Sequence, residues 1–351
     1  MPTVTKIGVI GCGGISRVHF RGWRRIPEKA RVIAIADIDD GRLAWAREQI
    51  GDVACYRDAE ALLENTDIDA VDICLPHHLH RSAIVAAAEA GKHILCEKPL
   101  CLDMDEAVEI ERAVMSSTVT MMCAHNQLFW PSVLAAGEIL DGGALGRPLF
   151  LRTLDCFRQS IVAGASRTLQ GWRADPALAG GGELLDTGYH PTYRLLYLAR
   201  SSPEAVSAMR GTYHLLDMRA EDSANVMVSF ADGAMGNILT SWAFASPVGN
   251  PLFQVVCENG EVSGNQRQLS LRFGAFPVTV REFGFDQGDD FAAEIEHFVE
   301  CIQSGRKPLS GLEQGIAALE VILAAYRSAS GDVTVRLDRA SALAGRAQTT
   351  G

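Results

Sequence analysis

Lys6-Ile7-Gly8-Val9-Ile10-Gly11-Cys12-Gly13-Gly14-Ile15-Ser16 is the stretch on which the fold turns. Its first half is a short apolar strand, and its second half is a glycine turn that opens the helical run Arg17-Val18-His19-Phe20-Arg21-Gly22-Trp23. In that setting the pattern G-x-G-x-x-(G/A) acquires a physical meaning. Gly11 makes the tight turn, Gly13 lets a pyrophosphate approach the backbone, and the helix N-terminus faces the negative charge. Ser16 stands where a third glycine or alanine is common and is small enough for close packing of helix on strand.

Moving outward, Arg31-Val32-Ile33-Ala34-Ile35-Ala36 is almost wholly apolar, as a strand covered on both faces of a parallel sheet should be, and it ends in Asp37. An acid about 20 residues beyond the glycine turn can accept hydrogen bonds from the adenosine ribose of a dinucleotide. A carboxylate there repels a 2′-phosphate, and no Arg or Ser follows Asp37 directly, so NAD is expected in preference to NADP. Further strands (53–56, 70–75) alternate with helices (42–50, 58–64), Asp58 capping the second, which predicts a doubly wound parallel sheet. Pro76-His77-His78-Leu79-His80 follows the fourth strand, at the edge where ligands gather in such sheets. Adjacent histidines point in different directions and no further ligand arrives at metal-site spacing, so no metal is expected. The next strand, His93-Ile94-Leu95-Cys96, delivers Glu97-Lys98-Pro99, placing an acid and an amine at a strand's C-terminal end. The expected cofactor contacts are therefore Gly11, Cys12, Gly13, Gly14, Ile15, Asp37, Ile38, Leu75, Pro76 and His80, joined by Glu97 and Lys98.

Bulk properties narrow the field. The 351 residues exceed what one core usually organises, so two domains are expected. With 32 Lys plus Arg against 43 Asp plus Glu, the formal charge of -11 repels phosphate backbones, which argues against a nucleic-acid partner. Nine scattered cysteines without a C-x-x-C pair suit reduced thiols in the cytoplasm. No targeting segment is visible and no apolar run is long enough to span a membrane.

In the second half, Gly180-Gly181-Gly182 leads to Glu183-Leu184-Leu185-Asp186-Thr187-Gly188-Tyr189-His190. On one helix, the spacing of four puts Asp186 and His190 on the same face, where a carboxylate can orient an imidazole for proton transfer. Strands at 149–157, 205–216, 224–230, 235–244, 252–258, 269–273 and 278–283, with turn signals such as Asp232-Gly233 and Asn259-Gly260, predict a meander. The expected boundary falls near residue 123, giving a dinucleotide-binding domain over 1–123 and a second domain over 124–351 with a loosely ordered tail after Ala340.

Taken together, the glycine turn, Pro76 with His80, Ala90-Gly91-Lys92-His93 running to Cys96-Glu97-Lys98-Pro99-Leu100, Gly171-Trp172-Arg173-Ala174-Asp175-Pro176 and Asp186-Thr187-Gly188-Tyr189-His190 resemble the glucose-fructose oxidoreductase, inositol dehydrogenase and rhizopine-catabolism (Gfo/Idh/MocA) family. The resemblance covers nearly the whole chain. It implies an α/β fold: a Rossmann domain, then an α/β domain on a large, open, mostly antiparallel sheet whose exposed face forms a homodimer or homotetramer. It also implies an NAD(P)-dependent dehydrogenase of a sugar, cyclitol or sugar acid. In that reading His190 is the general base, Lys98 holds the reacting oxygen, Glu97 fixes Lys98, and Asp186 orients His190 or binds a substrate hydroxyl. Asn126, Arg158, Trp172, Arg173 and Tyr193 are the further substrate candidates. Tyr193 stands three residues after His190, where many relatives carry a second acid. Two other readings share the scaffold: a hydrolase or lyase that retains NAD and oxidises transiently, and a nicotinamide-binding sensor. The intact Lys98, Asp186 and His190 argue against the sensor, which needs no proton path.

Overall fold

The computed structural model describes residues 4–159, 171–246 and 250–337; the tail after Ala340 lies outside them. The chain opens with β1 (Thr5–Ile10), α1 (Ser16–Trp23), β2 (Ala30–Ala36), α2 (Asp40–Ile50), β3 (Ala54–Tyr56), α3 (Ala59–Leu63) and β4 (Ala70–Ile73). It continues through α4 (His80–Glu89), β5 (His93–Glu97), α5 (Met104–Ser116) and β6 (Met121–Ala124). These six strands form one parallel sheet in the order β3-β2-β1-β4-β5-β6. The order reverses beside β1, so the ends of β1 and β4 form the switch point at which ligands of such sheets bind. The helices start where side-chain caps allow: Asp39 accepts from Arg42 N (3.1 Å), Asp58 from Ala61 N (2.7 Å) and Asp103 from Glu106 N (2.9 Å). Ile7, Val9, Ile35, Val71, Ile73, Ile94 and Leu95 are all fully buried, as a sheet covered on both faces requires.

The chain then runs through α6 (Pro131–Asp141), β7 (Pro148–Cys156), α7 (Pro176–Ala179), α8 (Glu183–Asp186), α9 (Tyr189–Ala199), β8 (Pro203–Gly211), β9 (Ser223–Phe230) and β10 (Met235–Ser241). After these come β11 (Phe253–Cys257), β12 (Gly260–Gly264), β13 (Gln268–Phe273), β14 (Thr279–Glu282), α10 (Asp289–Ser304), α11 (Leu312–Gly331) and β15 (Val335–Arg336). The second sheet is nine-stranded, in the order β14-β13-β12-β11-β7-β10-β9-β8-β15. It is mostly antiparallel but not the simple meander expected. β7 lies between β11 and β10 and pairs parallel to β10. A parallel pair needs a crossover, supplied here by the intervening α9, β8 and β9, and turn signals between neighbouring strands carry no trace of such a pairing.

The division of the chain also differs from a single cut at 123/124. One compact unit falls within Met1–Pro131, Gln170–Gly180 and Gly284–Leu319, and the other within Ser132–Leu169, Gly181–Phe283 and Glu320–Gly351. Segments distant in sequence belong to the first unit because they bond to it. Lys29 pairs with Glu296 and Glu300 of α10, and Cys123 N donates to Ser310 O at 2.7 Å.

Candidate active site

In the first unit the glycine turn carries out its expected geometry. Gly11 has φ +97°, and a Cβ there would lie 2.5 Å from the Cys74 carbonyl oxygen, so only glycine fits. Gly13 and Gly14 are different: a Cβ at either would meet nothing within 4 Å. The protein itself does not need glycine there, whereas a ligand packed on the backbone would. Ser16 Oγ donates to Gly13 O (2.7 Å) and pins the turn to α1. Asp37, almost fully buried, accepts from Cys12 N (2.8 Å) and Asp39 N (2.9 Å), which aims its carboxylate over the turn. A cavity of about 300 Å³ opens beside it, lined by Cys12, Gly13, Gly14, Arg17, Arg42 and Trp45. No arginine follows Asp37 directly in sequence, yet the fold brings Arg42 Nη1 of α2 to 3.9 Å from its Oδ2. Arg17 lies over the Trp45 ring at 4.8 Å. Ile38 is 85% exposed at the rim, and Leu75 and Pro76 are half-buried after β4. This donor set, with room at Gly13 and Gly14, fits a dinucleotide.

Glu97 and Lys98 sit at the end of β5, held by two buried histidines. His80 lies with Nδ1 2.7 Å from Pro99 O and Nε2 2.9 Å from Leu75 O. It ties the segment after Lys98 to the end of β4; burial lowers its pKa, against the pull of both carbonyls. The same contacts commit His80 to the backbone. His77 is likewise engaged, Nδ1 lying 2.8 Å from Ala179 O and the ring 4.4 Å edge-on to Trp172. On the other side, His19 of α1 places Nε2 3.0 Å from Glu97 Oε1 and Nδ1 3.0 Å from Asp72 Oδ2, while Glu97 Oε2 accepts from Lys98 N at 3.0 Å. Trp23 Nε1 donates to Asp72 Oδ2 (2.7 Å) and Cys74 Sγ to Asp72 Oδ1 (3.6 Å). The donor atoms of His19, Asp72 and Cys74 lie within 4.8 Å of one another, a spacing a metal ion can use. Each of them is engaged in a hydrogen bond, so the trio reads as a closed network rather than an open coordination set.

In the second unit, Asp186 and His190 do not share one helix. α8 ends at Asp186 and α9 begins at Tyr189, with Thr187 and Gly188 between them still in right-handed backbone. Gly188 N donates to Glu183 O (2.9 Å), five residues back, which widens the turn and ends α8. His190 Nδ1 lies 2.7 Å from the Tyr193 hydroxyl, and Tyr193 is itself buried. The glycine run is fixed from behind by Glu221. Its Oε1 accepts from Leu184 N (3.1 Å) and from Tyr326 Oη (2.8 Å), and Tyr326 Oη in turn accepts from Gly182 N (3.1 Å). A side chain at Gly182 would collide with Glu221. Glu183, fully buried and bonded to Thr240, has its pKa pushed far up by burial, with Asp155, Glu221 and Asp186 adding to the rise.

The remaining substrate candidates are placed unevenly. Asn126, buried in the first unit, donates from Nδ2 to Asp290 Oδ2 at 2.7 Å, an interior bond. Trp172 is half-buried with the exposed Arg173 guanidinium 4.3 Å over its ring. Arg158, exposed after β7, lies 3.5 Å from His214 Nδ1. Reading the sequence missed His19, Asp72 and Glu221. Asp72 left one legible trace: a charge inside the apolar strand Ala70-Val71-Asp72-Ile73 must be paired.

Comparison with known proteins fits this geometry. The family model described as an oxidoreductase family with an NAD-binding Rossmann fold matches residues 5–125, and that of the GFO/IDH/MocA C-terminal domain matches residues 133–263. The chain is an oxidoreductase with a nicotinamide-dinucleotide-binding unit; it belongs to the GFO/IDH/MocA family. It is similar to a D-apiose dehydrogenase of Paraburkholderia graminis, with 27% identity over 95% of this chain and 89% of the relative. A myo-inositol 2-dehydrogenase of Thermotoga maritima is 26% identical over 95% of this chain and 98% of its own. The structure of a levoglucosan dehydrogenase with NADH and levoglucosan superimposes with a TM-score of 0.88, covering 96% of this chain and all of that one; at 24% identity it shows the shared fold. Among the described residues no helix is long and apolar enough to cross a membrane.

Proposed function

We propose that this protein is an NAD-dependent dehydrogenase interconverting a secondary alcohol and a ketone on a sugar, cyclitol or sugar acid. The observation that carries the reading is the bond between His190 Nδ1 and Tyr193 Oη. A histidine whose Nδ1–H donates to a buried oxygen presents Nε2 as a base, the state that removal of a hydroxyl proton requires. The sugar and inositol dehydrogenases among its relatives support the substrate class.

Gly11, Cys12, Gly13, Gly14 and Ile15 hold the pyrophosphate in this reading, and Asp37 and Ile38 the adenosine. Leu75, Pro76, His80, Glu97 and Lys98 border the nicotinamide. When bound, the nicotinamide ring supplies the hydride acceptor. His190 takes the hydroxyl proton at Nε2. Lys98 donates to the reacting oxygen and stabilises its developing charge, and Asp186 binds a neighbouring hydroxyl. NAD is favoured because the Asp37 carboxylate repels a 2′-phosphate. Asp37→Ser is expected to narrow the gap between NAD and NADP in kcat/KM. A cytoplasmic location fits the nine free thiols. Assembly as a homodimer or homotetramer fits the exposed Met209, Met227 and Met235 on the second sheet.

A screen of sugars and cyclitols with NAD and NADP, read by nicotinamide absorbance, tests the reaction. Net reduced cofactor supports the dehydrogenase; product without it supports a hydrolase or lyase that regenerates its NAD. His190→Ala is expected to lower kcat by roughly two to four orders of magnitude while NAD binding survives. Retention of most turnover would remove His190 from the chemistry.

A further inference from the structure

Behind the residues assigned to the dinucleotide lies a buried network of charged side chains that meets them at Glu97. His19 is fully buried on α1 and lies between two carboxylates: Asp72 of β4 (3.0 and 3.1 Å from Nδ1) and Glu97 of β5 (3.0 Å from Nε2). Carboxylates accept, so the geometry is satisfied when both ring nitrogens donate. Glu97 then has one oxygen on His19 and the other on the Lys98 backbone N–H. Trp23, one turn along α1 from His19, donates to Asp72 and fixes the far end. The chain of contacts thus runs Trp23, Asp72, His19, Glu97, Lys98, from the helix behind the glycine turn to the amine-bearing segment.

We propose that His19 is a positioning residue for Lys98, acting through Glu97, and that α1 thereby sets the placement of the lysine. The inference rests on the reading of Lys98 given under Proposed function. Other groups facing His19 agree with it. Burial alone would depress the His19 pKa, but Asp72 and Cys74 more than offset this and hold it well above a histidine's ordinary value. Glu294 of α10 is fully buried, its carboxyl oxygens have no hydrogen-bond partner among the described residues, and burial raises its pKa strongly, with Glu97, Asp290 and Asp72 adding and His19 opposing. That rise disfavours a third charge beside His19 and leaves Asp72 and Glu97 as the carboxylates bonded to its ring. The Phe291 ring, 5.6 Å from His19, closes the site on the remaining side.

The test is a double-mutant cycle of His19→Gln and Lys98→Met, read as NADH formation from D-apiose, myo-inositol or levoglucosan, with NAD affinity measured in parallel. His19→Gln alone is expected to lower kcat roughly ten- to a hundredfold, with little change in NAD affinity and a shifted pH profile of kcat/KM; in the Lys98→Met background it should add almost nothing. A penalty that persists undiminished beside Lys98→Met, or wild-type turnover in His19→Gln, overturns the proposal and leaves the role of Lys98 standing. Full activity in Lys98→Met alone overturns that role, and the proposal with it. Should His19→Gln fail to fold, His19→Asn, whose shorter amide keeps a donor for Asp72, runs through the same cycle with the same expected outcomes. Should none of the three polyols turn over, hydrogen exchange of the Lys98 backbone amide, which donates to Glu97, decides. It should quicken in the variant while that of the Lys6 amide does not, and an unchanged Lys98 rate overturns the proposal.

Discussion

At the scale of single residues, the tautomer of His190 decides whether it can act. If the Tyr193 hydroxyl donated to Nδ1, Nε2 would carry the proton and the ring would be no base; if Nδ1–H donates to Tyr193, Nε2 accepts. Tyr193→Phe removes this acceptor at Nδ1, which penalises the imidazolium most. The expected result is a loss in kcat of roughly ten- to a hundredfold, the cost typical of losing a partner that orients a functional histidine. The acidic limb of the pH profile should move to lower pH, with KM nearly unchanged, and unaltered kinetics would count against this tautomer. The sequence alone pointed to Lys98, Asp186 and His190, because each stands at an element end in a motif of recognisable chemistry. Tyr193 was legible only as a departure from the family pattern. Its role as partner emerged from the local helix, which puts residues three apart side by side. His19 was hidden because its two partners lie 53 and 78 residues away in sequence.

At the scale of elements, the first sheet was readable because each strand is a short apolar run and each βα turn carries its own chemistry. The second sheet was readable strand by strand, but the parallel pairing of β7 with β10 was not, since pairing across a long crossover leaves no local pattern. The break between α8 and α9 was hidden for a related reason: Asp-x-x-x-His has helical spacing whether or not the turn between is widened. The glycine turn offers a sharper test of what an element is for. Gly11→Ala would force a Cβ against the Cys74 carbonyl oxygen at a positive φ, so it should lower thermal stability, by about 1–3 kcal/mol, together with cofactor binding. Gly13→Ala meets no protein atom within 4 Å. It should leave the melting temperature unchanged or slightly raised, since alanine reduces the entropy of the unfolded chain, while weakening NAD about tenfold or more. Calorimetry beside an NAD titration separates the two, and a destabilised Gly13→Ala with normal NAD affinity would contradict the cradle.

At the scale of the whole molecule, the second sheet has two unlike faces. On one, Leu151, Val228, Ile238, Val255 and Val262 are buried. On the other, register aligns Met209 of β8 with Asn225, Met227 of β9 with Asn237, and Met235 of β10 with Ser229, and these three methionines are 82%, 40% and 54% exposed. Exposed thioether side chains over adjacent strands, interleaved with uncharged polar residues, suit a self-complementary surface. The net charge of -11 opposes association of identical chains, so the apolar strip has to overcome a repulsion that salt screens. Light scattering after size-exclusion chromatography should therefore give the mass of a dimer or tetramer, more fully assembled at higher ionic strength. Met227→Lys combined with Met235→Lys places two unpaired charges per chain in the contact. Because both side chains already face solvent in the single chain, the melting temperature of the monomer should hardly change while the assembly weakens at least about tenfold. A wild-type protein that is monomeric at all salt concentrations, or a double variant that assembles as before, would move the contact away from this face.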